Sequence, residues 1–258
     1  MQISNWELWW RQSLDLTIAS MKSRYRKTFA GFLWVLLNPI IMFGVQALVF
    51  KKFLRLEMSD YYLFLAGGLI PWIFLTQTIQ MGTGVLLSNA TLLRSFRLHP
   101  LILVASSVLD NFINFTLTLL IVVTPVILLS DTGTNWTLLW TPLTLLPLLL
   151  TAASLATLMA VVNVFYRDAS FVLSFVFSIL FFLTPIFYPI SYVPEEYRWM
   201  IELNPFLHAL EPFRATLNPA SSLPWFPLWL KAMGWSTGTA LLAIFYWRKK
   251  RNELFIAI

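Results

Sequence analysis

The chain has 258 residues and no cysteine, which excludes disulfides and thiolate metal sites and leaves the compartment open. Charge is scarce too. Asp, Glu, Lys and Arg fill 12% of positions against 58% hydrophobic, and the mean hydropathy is +0.72. That is too apolar for a soluble domain, which needs a charged surface. None of the nine glycines opens a G-x-x-x-x-G-K-[ST] loop, so the chain has no phosphate cradle of its own. The H-E-x-x-H pattern is missing as well. His99 and His208 stand alone, without the neighbours a metal site requires. The carboxylates are scattered about one per loop, which tells against an enzyme acting on lipid phosphate. Residues 1–20 carry Glu7, Arg11 and Asp15 and have no continuous apolar stretch, so no cleavable signal is expected there.

What the chain does have is long apolar runs. They are continuous rather than alternating by twos, which excludes an outer-membrane barrel. Helices are the remaining way to satisfy backbone groups in lipid. Lys22, Arg24, Arg26 and Lys27 lead directly into Gly31 to Phe50, twenty residues without a charge. About twenty helical residues cross a hydrocarbon core of about 30 Å. The expected fold is an all-α membrane protein with six transmembrane helices, at about 31–50, 61–81, 101–129, 137–162, 171–188 and 228–247. Proline inside several of them (Pro39, Pro71, Pro125, Pro142, Pro147, Pro185) implies kinked rods.

Cations next to a first span favour the cytoplasmic side. With the N-terminus inside, Arg11, Lys22, Arg24, Arg26, Lys27, Arg94, Arg97, Arg167 and Arg248 to Arg251 are cytoplasmic, twelve of the 18 Lys and Arg. Lys51, Lys52, Arg55, Arg198, Arg214 and Lys231 make six outside. The closing Arg248-Lys249-Lys250-Arg251 then requires an even number of spans, with both termini cytoplasmic. Lys51, Lys52 and Arg55 run against the rule, and Glu57 and Asp60 partly balance them. The net charge of +6 sits beside spans, where anionic membrane lipids account for it; nucleic acid is not an expected partner.

Before the first span, Ile3, Trp6, Trp10, Leu14, Ile18 and Met21 recur every three or four residues, with Glu7, Arg11 and Asp15 on another face. This is the pattern of an amphipathic helix lying in the interface. Between the fifth and sixth spans, seven prolines from Pro189 to Pro227 cut the chain into pieces too short to cross, yet the segment is rich in aromatic residues. It reads either as a re-entrant cap at the outer mouth or as an aromatic belt at headgroup level.

Ser106, Asp110, Asn114 and Thr118 form a polar stripe every four residues in the third span. A charge facing lipid costs about 2.5 to 3.5 kcal/mol, so the stripe should face another helix or a cavity, as structural glue or as part of a gate. In the connection before it, Leu92, Leu93, Phe96 and Leu98 interleave with Arg94 and Arg97, which suits a short helix docking on a partner. Aromatic residues fill 16% of the chain. Phe171, Phe175 and Phe182 share a face of the fifth span, and Trp34, Asn38 and Met42 one of the first. Uncharged rings of this kind can stack on sugars and let a polymer slide. Gly234 and Gly238 form a GxxxG in the sixth span, a weak close-packing signal.

Several of these stretches together resemble a known family. Lys22-Ser23-Arg24-Tyr25-Arg26, Gly31-Phe32-Leu33-Trp34 and Asn38-Pro39 are similar to the opening of permease subunits of polysaccharide ABC exporters, of the ABC-2 type, which move O-antigen, capsule or teichoic acid. Ala66-Gly67-Gly68-Leu69-Ile70-Pro71-Trp72, Phe165-Tyr166-Arg167-Asp168, Thr184-Pro185-Ile186-Phe187-Tyr188 and Leu203-Asn204-Pro205 continue the similarity in order. The resemblance implies a transport subunit rather than an enzyme, in the bacterial cytoplasmic (inner) membrane, paired as a homodimer with two copies of a separate ATPase. That ATPase would hold the ATP and magnesium, and this chain no cofactor or metal. Residues 1–30 would be a cytoplasmic gate helix and basic junction, and 31–258 the transmembrane domain. Residues 92–100, with Leu92, Leu93, Arg94, Ser95, Phe96, Arg97, Leu98 and His99, would form a coupling helix. Tyr188, Tyr192, Tyr197, Trp199, Asn204 and Phe206 would belong to an outer gate. The cargo would be an undecaprenyl-pyrophosphate-linked glycan, most simply lipopolysaccharide O-antigen, with Lys22, Arg24, Arg26 and Lys27 meeting the pyrophosphate or serving only topology and lipid. Trp34, Asn38, Met42, Phe171, Phe175 and Phe182 would line the glycan channel. Export of a small hydrophobic compound, or a membrane glycosyl or phosphoryl transferase, are the rival readings.

Overall fold

A computed structural model describes residues 5–25, 33–58, 60–96, 98–130, 136–217 and 224–257, and these are helical throughout apart from turns. The helices are α1 Asn5–Tyr25, α2 Leu33–Ala47, α3 Tyr61–Ser88, α4 Ala90–Phe96, α5 Pro100–Thr118, α6 Thr124–Leu128, α7 Thr141–Phe165, α8 Ala169–Leu183, α9 Glu195–Glu202, α10 Pro205–Leu217 and α11 Trp225–Ala257. A π-helical turn, Leu48–Phe53, extends α2, and another, Leu119–Val123, joins α5 to α6.

Four of these rods are long and apolar enough to cross a membrane: Leu36–Phe53, Tyr61–Ser88, Pro100–Leu128 and Trp136–Phe165. The fifth expected span is α8, whose 15 residues cover about 22 Å at 1.5 Å per residue, less than a hydrocarbon core. It stops at Leu183 because Pro185 removes the next backbone donor and holds Thr184 in extended backbone. The sixth, α11, has 33 residues and is long enough, but Lys231, Ser236, Thr237 and Thr239 make it more polar than the four.

The central rod is α3, with 78% of its apolar window buried, whereas the Leu36–Phe53 window is only 11% buried. α3 packs on α7, which packs on α11. The closest approach is at Gly82, where an added Cβ would lie 2.7 Å from the Cβ of Ala156. The sequence placed close packing at Gly234 and Gly238 instead; around both there is nothing within 4 Å, so that signal is not used among the described residues. Polar contacts sew the bundle where helix geometry frees an acceptor. Pro147 lacks an N–H, which leaves the carbonyl of Leu143 without its helical donor, and the Trp229 indole of α11 donates to it at 2.9 Å. Ser236 and Thr151 meet at 3.0 Å on the same seam.

α1 lies along α5. Its expected apolar stripe (Trp6, Trp10, Leu14, Ile18) is exposed, and the face it buries is small and polar: Ser13 and Thr17, with Thr17 Oγ1 donating to Ser106 O at 3.2 Å. A helix that offers rings outward and hydroxyls inward suits an interfacial position beside a polar partner.

Candidate functional site

Three regions carry the residues singled out from the sequence. The first is a cavity of about 690 Å³ between α1, α3, α4 and α5, walled by Ser20, Ser23, Arg24, Gln80, Ser88, Asn89, Leu92, Ser107 and Asp110. The polar stripe of α5 does turn away from lipid: Ser106, Asp110, Asn114 and Thr118 are all buried. Asp110 is 1% exposed and pairs with the guanidinium of Arg24 at 2.5 Å, with Ser20 at 3.5 Å and Asn114 at 3.4 Å as further donors. Arg24 was read from the sequence as a cation for pyrophosphate or lipid, and Asp110 as glue or gate. The structure joins them into one ion pair that ties α1 to α5, 86 residues apart. Ser107 Oγ is buried in this cavity without a hydrogen-bond partner. Lys22 is exposed on the last turn of α1; Arg26 and Lys27 lie outside the described residues.

The second region is α4. The expected helix at 92–100 is shifted to Ala90–Phe96, because Pro100 forces His99 into extended backbone (ψ 124°). Leu98 and His99 are therefore connection, and Arg97 lies outside the described residues. Leu93 is fully buried against Leu86, Leu103, Val161 and Leu254, while Arg94, Ser95 and Phe96 face outward, Phe96 at 70% exposure. Leu93 anchors the helix, and Arg94, Ser95 and Phe96 form a presented surface. Leu92 points the other way, into the Arg24–Asp110 cavity. The His99 ring lies 5.6 Å from that of Trp247, and partial burial holds its pKa below the usual imidazole range.

The third region is a groove of about 330 Å³ between α2, α3 and α8. It brings together Asn38, Met42 and Phe182 of the six residues assigned to a channel, and adds Trp72, Thr76, Gln77, Gln80, Ser174, Phe177 and Ser178, which the sequence reading did not single out. Ser170, Ser174 and Ser178 recur every four residues, and that repeat was the available signal. Among the described residues no charged side chain lines the groove. Trp34, Phe171 and Phe175 do not enter it; they are exposed on the outer faces of α2 and α8.

Beyond α8 the chain turns back through a corner held by four side chains. Asn204 donates to Thr184 Oγ1 at 2.7 Å and accepts from the Phe206 N–H at 3.0 Å. Tyr61 donates to Phe187 O at 3.2 Å. Arg214 of α10 donates to the carbonyls of Pro185 and Ile186, at 2.9 and 3.2 Å, and lies 4.1 Å over the Phe64 ring. A Cβ on Gly68 would fall 2.0 Å from the Arg214 guanidinium, so the Gly67-Gly68 pair exists to admit this arginine. Sequence reading had counted Arg214 as an ordinary outer cation; paired glycines in an apolar span were the clue. Of the outer-gate residues, Asn204 and Phe206 are buried in this corner, Tyr188 is half-buried, and Tyr192, Tyr197 and Trp199 are exposed.

The ABC-2 type transporter family matches residues 11–218, which include all three regions and the corner. The chain belongs to the ABC-2 type transporter family. It is a multi-pass membrane permease, a transport subunit without a catalytic domain, and membership implies a separate ATPase subunit as partner. The O-antigen export system permease protein RfbA of Myxococcus xanthus is 29% identical over 208 residues, 78% of each chain. RfbA of Klebsiella pneumoniae is 25% identical over 193 residues, covering 74% of this chain and 73% of that one. The polysialic acid transport protein KpsM of Escherichia coli is 23% identical over 214 residues, 79% and 80% of the two chains.

Proposed function

We propose that this chain is the permease of an ATP-driven polysaccharide exporter, working as a homodimer with two ATPase subunits in a bacterial cytoplasmic membrane, both termini inside. α8 and α11 would complete six spans, and α9 and α10 would form the re-entrant outer segment. The cargo is an undecaprenyl-pyrophosphate-linked glycan, with O-antigen first in line because the RfbA relatives are named for it. The observation that carries this reading is the uncharged groove between α2, α3 and α8. Amide and hydroxyl groups of Asn38, Gln77, Gln80, Ser174 and Ser178 alternate there with the rings of Trp72, Phe177 and Phe182. Hydroxyl-rich sugars need both hydrogen-bond partners and flat apolar faces, whereas a small hydrophobic cargo would leave the amides unmatched, at a cost of about 1–3 kcal/mol for each buried one.

The exposed aromatic stripe Phe171, Phe175, Phe182 and the thinly packed α2 supply the face on which a second copy would close the path. In this mechanism the ATPase engages Arg94, Ser95 and Phe96 on α4. Its closure shifts Leu92 in the Arg24–Asp110 cavity, loosens α1 from α5, and opens the cytoplasmic side to the lipid-linked end. Lys22, Arg24, Arg26 and Lys27 then meet the pyrophosphate. The test is replacement of Gln77 and Gln80 by leucine: lipid-linked glycan should accumulate in the inner leaflet while the permease stays at wild-type abundance. Normal surface glycan together with lost efflux of a hydrophobic compound would move the chain to the small-molecule reading.

A further inference from the structure

An apolar groove of about 440 Å³ lies between α5, α7 and α11, sharing no lining residue with the α2/α3/α8 path, with Trp9 and Trp10 of α1 also against it. Its walls are open because the residues facing it are small: Ala105, Ala153, Ala240 and Ala243. Leu242 and Phe245 beside it are exposed, as side chains bathed in hydrocarbon are. A cleft of this size would forfeit dispersion contacts along its whole length if nothing filled it.

The chemistry of its tryptophans identifies the occupant. Trp9, Trp10 and Trp247 all line the groove, and among the described residues none of their indole N–H groups has a hydrogen-bond acceptor. On α11 the lining positions Ala240, Ala243 and Trp247 continue, one turn further, to Arg251. Arg248, Lys249 and Arg251 are exposed, and among the described residues no carboxylate pairs with them, since Glu253 is taken by Lys250 at 2.6 Å. An apolar slot that opens onto indole donors and unpaired cations is complementary to a chain ending in an anion.

We propose that this groove binds one acyl chain of an anionic phospholipid of the surrounding bilayer, its phosphate held by Arg251 and the neighbouring indoles. The bound lipid would brace the N-terminal part of α1 against α5, α7 and α11, whereas the Arg24–Asp110 cavity takes its C-terminal part. The full chain is reconstituted in vesicles of equal palmitoyl-oleoyl phosphatidylglycerol and phosphatidylcholine, extracted in mild detergent, and its retained lipid counted by native mass spectrometry. Wild type should retain phosphatidylglycerol in preference. Ala153→Phe and Ala240→Phe, on opposite walls, should each lower that retention about tenfold by excluding two or more methylenes. Arg251→Ala should lower it about fivefold, as expected for one cation at a membrane surface. Unchanged retention in both phenylalanine variants, or equal retention of the two lipids by wild type, would overturn the proposal. Should either variant fold poorly, the unmutated chain gives a second reading. Phosphatidylglycerol brominated along its acyl chain should quench tryptophan emission more than the phosphatidylcholine analogue, with the difference reduced in Trp247→Phe. Equal quenching, or loss of a protein partner rather than lipid from the variants, would refute it.

Discussion

Cutting the Arg24–Asp110 pair from the arginine side alone should cost more than cutting it from both. Arg24→Ala leaves Asp110, 1% exposed, with only the long contacts to Ser20 and Asn114 at 3.5 and 3.4 Å. Removing one partner of a buried pair costs about 3–5 kcal/mol, and replacing both partners is far milder. Because Arg24 is 33% exposed, water screens part of the pair, and about 3 kcal/mol is the expected loss for Arg24→Ala. Asp110→Asn keeps the shape and lets the guanidinium reach water, so about 1 kcal/mol is expected. For the double variant the loss should fall about 2 kcal/mol below the sum of the singles, within the range of coupled neighbours. Unfolding by SDS titration in mixed micelles measures all four corners of the cycle. The absence of cysteine also allows spin labels at Asp15 and Thr91, both exposed, to report the distance from α1 to α4. Separation should broaden in Arg24→Ala and return toward wild type in the double variant. A coupling within about 0.5 kcal/mol of zero, the additivity limit for independent sites, would refute the idea that this pair holds α1 down.

Gly68→Ala should cost about 1–3 kcal/mol, the usual penalty for overpacking, by driving Arg214 from the carbonyls of Pro185 and Ile186, whereas Gly234→Ala, with open space around it, should be neutral; thermal melts in detergent compare them. Arg94→Ala with Phe96→Ala should abolish glycan export and ATPase association without lowering the melting temperature, since both side chains face outward; co-purification of the ATPase checks it, and full export by the pair would count against α4 as the coupling surface. Cysteines placed singly at Phe171 and Phe175 should form disulfide-linked dimers in membranes within minutes of mild oxidation, while one at exposed Leu241 on α11 should not; equal cross-linking at all three would remove α8 from the dimer face.

Much of this arrangement was legible in the residues. Four apolar runs became long rods with nearly the expected limits, and the four-residue spacing of Ser106, Asp110, Asn114 and Thr118 gave a buried stripe, since a charge has nowhere else to go in lipid. The short helix before the third span was seen, but its end was misjudged: Pro100 acts on His99 and on the turn before it, so the helix closes at Phe96. What stayed hidden depends on contacts between residues distant in sequence. Nothing local marks Arg24 as the partner of Asp110, because basic residues before a span serve topology equally well. The polar inner face of α1 was hidden by its conspicuous apolar stripe, which is largely exposed. GxxxG misled because small residues permit close approach without requiring it; the approach occurs at Gly82, where Ala156 stands opposite. Trp34, Phe171 and Phe175 lie on exposed faces of α2 and α8, which the residues did not show, since helical periodicity tells which residues share a face and not which way that face turns.

Reconstitution tests the central claim most directly: this permease conducts, and another subunit supplies the work. Purified chain is placed in proteoliposomes with lipid-linked glycan, with and without its ATPase, and glycan transfer and nucleotide turnover are followed together. The expected result is transfer only when ATPase and ATP are both present, with no nucleotide turnover by this chain alone. Glycan transfer or ATP hydrolysis by the isolated chain would contradict it.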